Sequence, residues 1–282
     1  MKKRIILVLI VFVILGVIIG LLVRCSSPGE NGRAASPMEG RIDEIVAEMT
    51  LEEKVGQMTQ ITLSHLLKQG EQGVQEPFEL DTARLKKALL EYHVGSILNC
   101  GGHANSLEKW HEIISQIQTM ATGRTRLGIP VLYGIDAIHG ANYTQNATLF
   151  PQQIAQAATW NPEIVKEAAS ITAYETRASG IPWNFSPVLG LGREPVWARF
   201  WETFGEDVYL TRTLGQAMVK GYQGDQLTDD STKVAACMKH YLGYSVPNSG
   251  KDRTPAWIPE RQLREYFLPP FEDAVDAGVQ TA

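Results

Sequence analysis

Two polar residues, Asp136 and His139, follow a short apolar segment at residues 131–135, within a stretch that carries Gly134 and Gly140. The apolar segment is typical of a buried strand, and Asp136 comes where such a strand leaves the core. In a parallel α/β barrel, the loops at the carboxyl ends of the strands carry the ligand-binding side chains. Asp136 is therefore a candidate ligand-binding carboxylate. The alternative interpretation is that it caps a helix or holds a turn.

A second polar stretch, residues 191–207, combines arginines, acids and tryptophans. Aromatic rings beside planar hydrogen-bonding groups suit a sugar, which has an apolar ring face and a fringe of hydroxyls. Arg193 and Arg199 are the candidate donors to such hydroxyls. Alternatively, both arginines only hold the loop together by pairing with nearby carboxylates, which are Glu194, Glu202 and Glu206.

Lys239 and His240 follow an apolar run at residues 234–238, where they would be costly to bury without partners. Because neighbouring side chains alternate across a strand, we expect only one of the two to point straight into a barrel. Two roles are open: Lys239 forms a Schiff base, as in aldolases, or both residues donate hydrogen bonds to ligand hydroxyls. The next loop, residues 243–253, has the composition of a solvated loop and is predicted to be one.

The composition argues against several classes of binding protein. A net charge of −5, with scattered basic residues, gives no support for nucleic-acid binding. The histidines and cysteines lack the spacing of metal ligands, and the cysteines are too few for a disulfide scaffold. No glycine-rich nucleotide fingerprint follows a strand, so we predict neither a metal nor a cofactor.

Strand and helix patterns alternate along the chain, which predicts a parallel sheet covered by helices. Residues 50–53 and 105–108 have capping-box spacing, and Asn161-Pro162 is a typical helix start. The predicted strands are residues 94–98, 131–135, 183–188, 234–241 and 279–282.

From this alternation we predict an α/β fold, specifically a (β/α)8 TIM-type barrel. The barrel is expected to be incomplete, because about five or six strand candidates are present where a closed barrel needs eight. A doubly wound open sheet is the alternative architecture.

The N-terminus is predicted to be an export and membrane segment, because a basic start precedes an uncharged apolar run at residues 5–23. Cys25 lies where a bacterial lipoprotein would be processed. We therefore predict a signal or anchor over residues 1–24, a linker over 25–40 and the barrel domain over 41–282. The protein is expected in the cell envelope, periplasmic or on the outer surface, held by the anchor or by a lipid on Cys25.

Five segments together resemble glycoside hydrolase family 3, and specifically its β-glucosidase branch. They follow in the family's order across almost the whole predicted barrel domain, which makes the resemblance more specific than any one motif. Val196 and Ala198 depart from the family's usual Arg and Gly. The segments are 49–58 (MTLEEKVGQM), 134–140 (GIDAIHG), 193–199 (REPVWAR), 202–207 (ETFGED) and 239–241 (KHY).

This resemblance implies a retaining enzyme that hydrolyses terminal non-reducing β-D-glucosyl residues from oligosaccharides or glycosides. It also implies that Asp136, Arg199, Lys239 and His240 bind hydroxyls of the departing glucose. The family's nucleophile lies in a Ser-Asp-Trp type segment, which is absent here and expected beyond Ala282. The general acid is expected from a C-terminal domain of the same parent chain, so residues 1–282 alone are expected to be inactive.

Two other functions stay open on the residues alone. The first is a lyase or aldolase-type barrel in which Lys239 forms a Schiff base with a carbonyl substrate. The second is a carbohydrate-binding protein without catalytic activity. Both keep the same cleft but assign its residues different chemistry.

Overall fold

The computed structural model describes residues 37–68, 78–100, 103–224 and 230–282. The chain divides into two compact units, Met1–Glu48 and Met49–Ala282. The described part of the first unit is helix α1, Pro37–Glu48, whose first turn covers the end of the predicted linker. The predicted anchor and Cys25 lie outside the described residues. Within the described ranges, no helix combines the length and apolar character needed to cross a membrane.

The second unit is an α/β fold built on a five-stranded sheet in which every neighbouring pair is parallel. The strands lie side by side in chain order, so each crossover returns the chain to the same edge. All carboxyl ends therefore meet at one edge of the sheet. The strands are β1 Gln60–Thr62, β2 Ser96–Leu98, β3 Leu132–Ile135, β4 Trp183–Asn184 and β5 Ala235–Ala236.

Helices connect these strands and cover the sheet, and two of them continue into a π-helical turn. A 3₁₀ turn, Leu63–Leu66, follows β1, and a second, Phe200–Glu202, precedes α7. The helices are α2 Leu51–Gln57, α3 Thr82–Lys86 (continuing as Lys87–Glu91), α4 Leu107–Arg124, α5 Gln153–Ala157, α6 Pro162–Ala178, α7 Val208–Gln223, α8 Glu260–Gln262 (continuing as Leu263–Phe267) and α9 Pro269–Asp276.

Two of the three predicted helix starts are confirmed by their capping hydrogen bonds. Thr50 forms a reciprocal capping box at α2, and the Asn161 side chain accepts from two backbone N–H groups at the start of α6. The prediction for α4 was wrong by one residue, since Ser106 is the cap and accepts from Lys109 N. The backbone of Asn105 instead bonds to the segment around Tyr143, which leaves the capping position to Ser106.

The predicted strands at 183–188 and 234–241 are much shorter in the structure. β4 ends at Asn184, and past it the chain still bonds to the segment after β5, where Cys237 N donates to Ser186 O and Lys239 N donates to Pro187 O. Beyond β5 the chain keeps only isolated pairings, of which Val188 with Lys239 and Cys237 with Thr281 are two. Strand β1 is not predicted by the sequence pattern, because the short segment Gln60–Thr62 offers a single apolar residue and no alternation.

Two apolar clusters hold the sheet edge that carries the polar residues. The first packs β2 and β3 against α4, with Trp110 and Tyr133 fully buried and in edge-to-face contact. The second packs α6 against α7, where Gly221 of α7 lets the backbones approach closely. Burial of a large apolar side chain contributes roughly 1.5–3 kcal/mol, so these clusters supply a rigid support for the strand ends.

We predict that Gly221→Ala destabilises the fold by about 1–3 kcal/mol through overpacking. A Cβ at this position would lie 2.4 Å from the carbonyl oxygen of Lys166 and 2.6 Å from Cβ of Ala169. The matched control is Gly123→Ala in α4, where a Cβ meets no atom within 4 Å. That control should raise stability by up to about 1 kcal/mol, as alanine favours helix. Equal urea midpoints for the two variants would contradict this packing argument.

Candidate active site

The predicted site residues meet in a polar cleft of about 470 Å³ at the carboxyl edge of the sheet. Asp136 follows β3, Lys239 and His240 follow β5, and Arg199 comes from the loop before the second 3₁₀ turn. A larger and mostly apolar cavity of about 820 Å³ lies between α2 and α3 and contains none of these four residues. The polar cleft is therefore the candidate site. Its lining consists of Asp136, Ile138, His139, Asn142, Tyr143, Arg199, Glu202, Lys239, His240, Asp252 and Arg253.

Asp136 is held by an ion pair and an amide rather than by a helix cap. Lys239 Nζ donates to Asp136 Oδ1 at 2.5 Å, and Asn99 Nδ2 donates to Asp136 Oδ2 at 2.8 Å. Burial alone would raise the pKa of Asp136, but the positive charge of Lys239 and these hydrogen bonds outweigh it, so the pKa is lowered. Asp136 is thus an anion that can accept hydrogen bonds from a ligand.

Arg199 is extensively hydrogen-bonded by protein groups. Its guanidinium makes a bidentate pair with Glu202, at 2.9 and 2.7 Å, and also donates to Tyr244 Oη at 3.2 Å. One further N–H faces His240 Nε2 at 3.2 Å. Of the five N–H groups of an arginine, one is left for a ligand within the described part of the chain. Arg199 therefore both lines the cleft and holds its wall, as the loop-holding alternative proposed.

His240 is a neutral side chain in this environment. Burial lowers the pKa of His240 to about 3, and the positive charges of Lys239 and Arg199 act in the same direction. Because Arg199 donates to Nε2, the proton of the neutral ring belongs on Nδ1. Nδ1 has no hydrogen-bond partner among the described residues, which leaves it as a donor for a ligand.

The expectation that only one of Lys239 and His240 faces the interior was wrong, since both line the cleft. Regular strand geometry ends at Ala236, so the alternation of a strand no longer governs these two side chains. Arg193, the other candidate donor, does not line the cleft. Its guanidinium lies over the rings of Tyr266 and Phe267, at 4.6 and 5.7 Å from their centres.

The loop at 243–253 was predicted to be solvated, and this prediction was wrong for part of the loop, in which Gly243, Ser245 and Pro247 are buried. Asp252 Oδ1 accepts from Trp197 Nε1 at 2.9 Å and from Tyr244 Oη at 2.7 Å. The Tyr244 ring also contacts the His240 ring, with centres 4.7 Å apart. Asp252 therefore joins this loop to the 191–207 loop and completes one wall of the cleft. The polar composition concealed these contacts, and no local sequence signal identifies them.

Three further residues belong to the site but were not predicted as ligand-binding. Tyr143 lines the cleft, and burial raises its pKa to about 12, helped by the negative charge of Asp136. His139, singled out beside Asp136, also lines the cleft and its Nδ1 lies 3.1 Å from the carbonyl oxygen of Phe150. Asn99 stands behind Asp136. Its position directly after β2, the strand next to β3, is the sequence feature that could have identified it as a residue of the site.

The site has the chemistry of a hydroxyl-binding cleft rather than a metal centre. Within the residues described, no group of three or more potential ligands could hold a metal ion. One carboxylate accepts hydrogen bonds, while Lys239, His240 and Tyr143 present N–H or O–H donors beside it. Charged donors and acceptors bind hydroxyls roughly twice as strongly as neutral ones. Fold and cleft together define an α/β domain with a parallel sheet and a polar cleft, lined by charged and neutral hydrogen-bonding groups, at its carboxyl edge.

Comparison with known proteins identifies the family. Residues 50–282 match the family model described as "Glycosyl hydrolase family 3 N terminal domain", and the chain belongs to this family. It is 43% identical over 265 residues to the lysosomal beta glucosidase of Dictyostelium discoideum, covering 89% of this chain and 32% of that protein. It is 39% identical over 175 residues to a beta-xylosidase of Formosa agariphila, covering 60% of this chain and 24% of that protein.

A solved structure gives the same result. The beta-glucosidase of Listeria innocua, crystallised in complex with glucose, superposes with a TM-score of 0.71 at 32% identity. The match covers 86% of this chain and 32% of that one. The chain therefore spans about a third of the length of the beta-glucosidases that it matches. These findings confirm the predicted resemblance to the β-glucosidase branch.

We predict that His240 makes stability fall as the pH decreases from about 6.5 towards 3. Because the folded pKa of about 3 lies below the ordinary 6.5, the unfolded chain binds a proton that the folded chain does not. Urea unfolding of the unmodified chain should show about 1–2 kcal/mol of stability lost between pH 7 and pH 5 that His240→Gln does not lose. Identical pH dependence in both proteins would show that His240 titrates normally.

Proposed function

We propose that this chain binds the terminal non-reducing glucosyl residue of a β-glucoside or oligosaccharide during retaining hydrolysis. The observation that carries the proposal is the Asp136–Lys239 ion pair at the sheet's carboxyl edge, beside the free donors of His240 and Tyr143. A carboxylate flanked by cationic and neutral donors matches the alternating donors and acceptors of sugar hydroxyls. Relatives named beta-glucosidases, one of them crystallised with glucose, support this assignment.

We propose further that the five-stranded sheet is part of a (β/α)8 barrel, with the nucleophile and the general acid supplied from outside residues 1–282. Of the described residues, three carboxylates line the cleft, and each is already bound by protein donors. Asp136 pairs with Lys239, Glu202 with Arg199, and Asp252 with Trp197 and Tyr244. A retaining glycosidase needs a carboxylate free to attack and a second able to donate a proton.

Two finer properties belong to the proposal. The proposed sugar is glucose, and a relative named a beta-xylosidase supports xylose as the competing sugar. The basic and then apolar residues of 1–24, and Cys25, support export to the cell envelope with a membrane anchor or lipid attachment.

The Schiff-base alternative has little support from the geometry. A Schiff base requires the Lys239 amine to attack a carbonyl carbon, whereas Lys239 Nζ is bound to the Asp136 carboxylate at 2.5 Å. Borohydride treatment with an aldehyde substrate should therefore trap no adduct on Lys239. A labelled Lys239 peptide would restore the lyase hypothesis.

We predict that Asp136→Asn weakens glucose binding by the chain about ten- to a hundredfold, because a charged hydrogen bond contributes roughly 1.5–3 kcal/mol. NMR titration with glucose measures the dissociation constant. The matched control is Glu260→Gln, which removes an exposed carboxylate that pairs with Arg264 in α8 and does not line the cleft. Unchanged binding by the Asp136 variant, or equal loss in the control, would contradict the proposed role.

We predict that residues 1–282 bind glucose without hydrolysing an aryl β-glucoside. The expected result follows from the protein donors that bind every carboxylate lining the described cleft. Release of the aryl group at a rate above buffer, abolished by Asp136→Asn, would place the catalytic acids within this chain. A protein extended to the length of its relatives is the positive control.

A further inference from the structure

Asn99 lies directly behind Asp136 and does not line the cleft. It is the first residue after β2, and its backbone has a φ of 51°, in the left-handed region. Asparagine and glycine adopt this conformation more readily than other residues. Backbone conformation alone would therefore explain why the position favours asparagine or glycine, but it would not explain where the side chain goes.

Every polar group of Asn99 bonds to β3 or to the residue after it. The N–H donates to Gly134 O at 3.0 Å, and the carbonyl oxygen accepts from Tyr133 Oη at 2.5 Å. The side chain accepts from Asp136 N at 3.0 Å and donates to Asp136 Oδ2 at 2.8 Å. Asn99 is thus held by its backbone and in turn holds both the backbone and the carboxylate of Asp136.

These contacts determine how the carboxylate is turned. The last torsion of an aspartate side chain is broad, so a carboxylate fixed at one oxygen still rotates. Lys239 donates to Oδ1 and Asn99 donates to Oδ2, so each carboxylate oxygen is held by a different residue. A carboxylate with a fixed plane can accept from two neighbouring hydroxyls of one sugar ring at once, without losing rotational freedom on binding.

We propose that Asn99 is a positioning residue that orients the Asp136 carboxylate for a sugar with adjacent hydroxyls. The inference rests on the proposed function, since it requires that the cleft holds a sugar. Asn99 acts only through Asp136 and touches no ligand itself. Its removal should weaken sugar binding while the fold, which depends on its backbone bonds, stays intact.

The test is Asn99→Gly in the 282-residue chain, with glucose as the probe. Glycine keeps the positive φ and both backbone hydrogen bonds and removes only the side chain. The matched control is Asn146→Gly, which makes the same change at a φ of 63° outside the cleft. We expect the dissociation constant for glucose to rise about tenfold in the Asn99 variant alone. Removal of a residue that orients a ligand-binding side chain has an effect of this size in metal sites. The two variants should have similar melting temperatures.

Asn99→Asp provides a readout that a purely structural role would not change. It places a second carboxylate within bonding distance of Asp136, so the two negative charges repel at neutral pH. Glucose binding should be weak at pH 7 and recover as the pH is lowered, when the two carboxylates share a proton. The unmodified chain should show no such recovery over the same pH range.

The outcomes separate the inference from the proposed function. If Asp136→Asn weakens glucose binding and Asn99→Gly leaves it unchanged, the sugar-binding cleft stands and the positioning role is wrong. If the unmodified chain does not bind glucose, the proposed function is wrong and the positioning role falls with it. Equal losses in Asn99→Gly and Asn146→Gly would also overturn the positioning role, because a general effect of glycine would then explain both.

Discussion

The ion pair between Asp136 and Lys239 is the interaction on which the arrangement of the cleft depends. It joins the ends of β3 and β5 across 103 positions of sequence, and the positive charge of Lys239 helps to lower the pKa of Asp136. Breaking a partly buried pair by removing one partner leaves an uncompensated charge, which costs more than the pair itself contributes. The pair therefore keeps a hydrogen-bond acceptor and a hydrogen-bond donor side by side in the polar cleft.

A second set of contacts surrounds Arg199 and supports the opposite wall. Glu202 and Tyr244 occupy most of its guanidinium, and Asp252 accepts from both Tyr244 and Trp197. This network connects the 191–207 loop, which contains the 3₁₀ turn Phe200–Glu202, to the 243–253 loop. The positive charge of Arg199 also helps to lower the pKa of His240 and so keeps its ring neutral. Because Arg199 donates to Nε2, it also leaves the proton of the ring on Nδ1.

The site thus divides its residues between those that face the cleft and those that hold them. Lys239, His240 and Tyr143 keep donors for a ligand, whereas the hydrogen-bonding groups of Asn99, which does not line the cleft, are engaged with protein. Preorganised groups bind a sugar with less loss of freedom on association. Membership of glycoside hydrolase family 3 agrees with such a cleft, and the residues that break the glycosidic bond are proposed to lie outside residues 1–282.

The sequence by itself determined the features that depend on near neighbours. The caps at Thr50 and Asn161 close hydrogen bonds within three residues, and the apolar run before Asp136 marks a strand end, so local patterns predict them. The family motifs likewise identified the four cleft residues. Only the tertiary structure decided that Asn99 holds Asp136, that Trp197 donates to Asp252 and that Arg199 donates to Tyr244. Those partners lie 37 to 55 residues apart, where the packing of the sheet selects them and no local spacing records the choice.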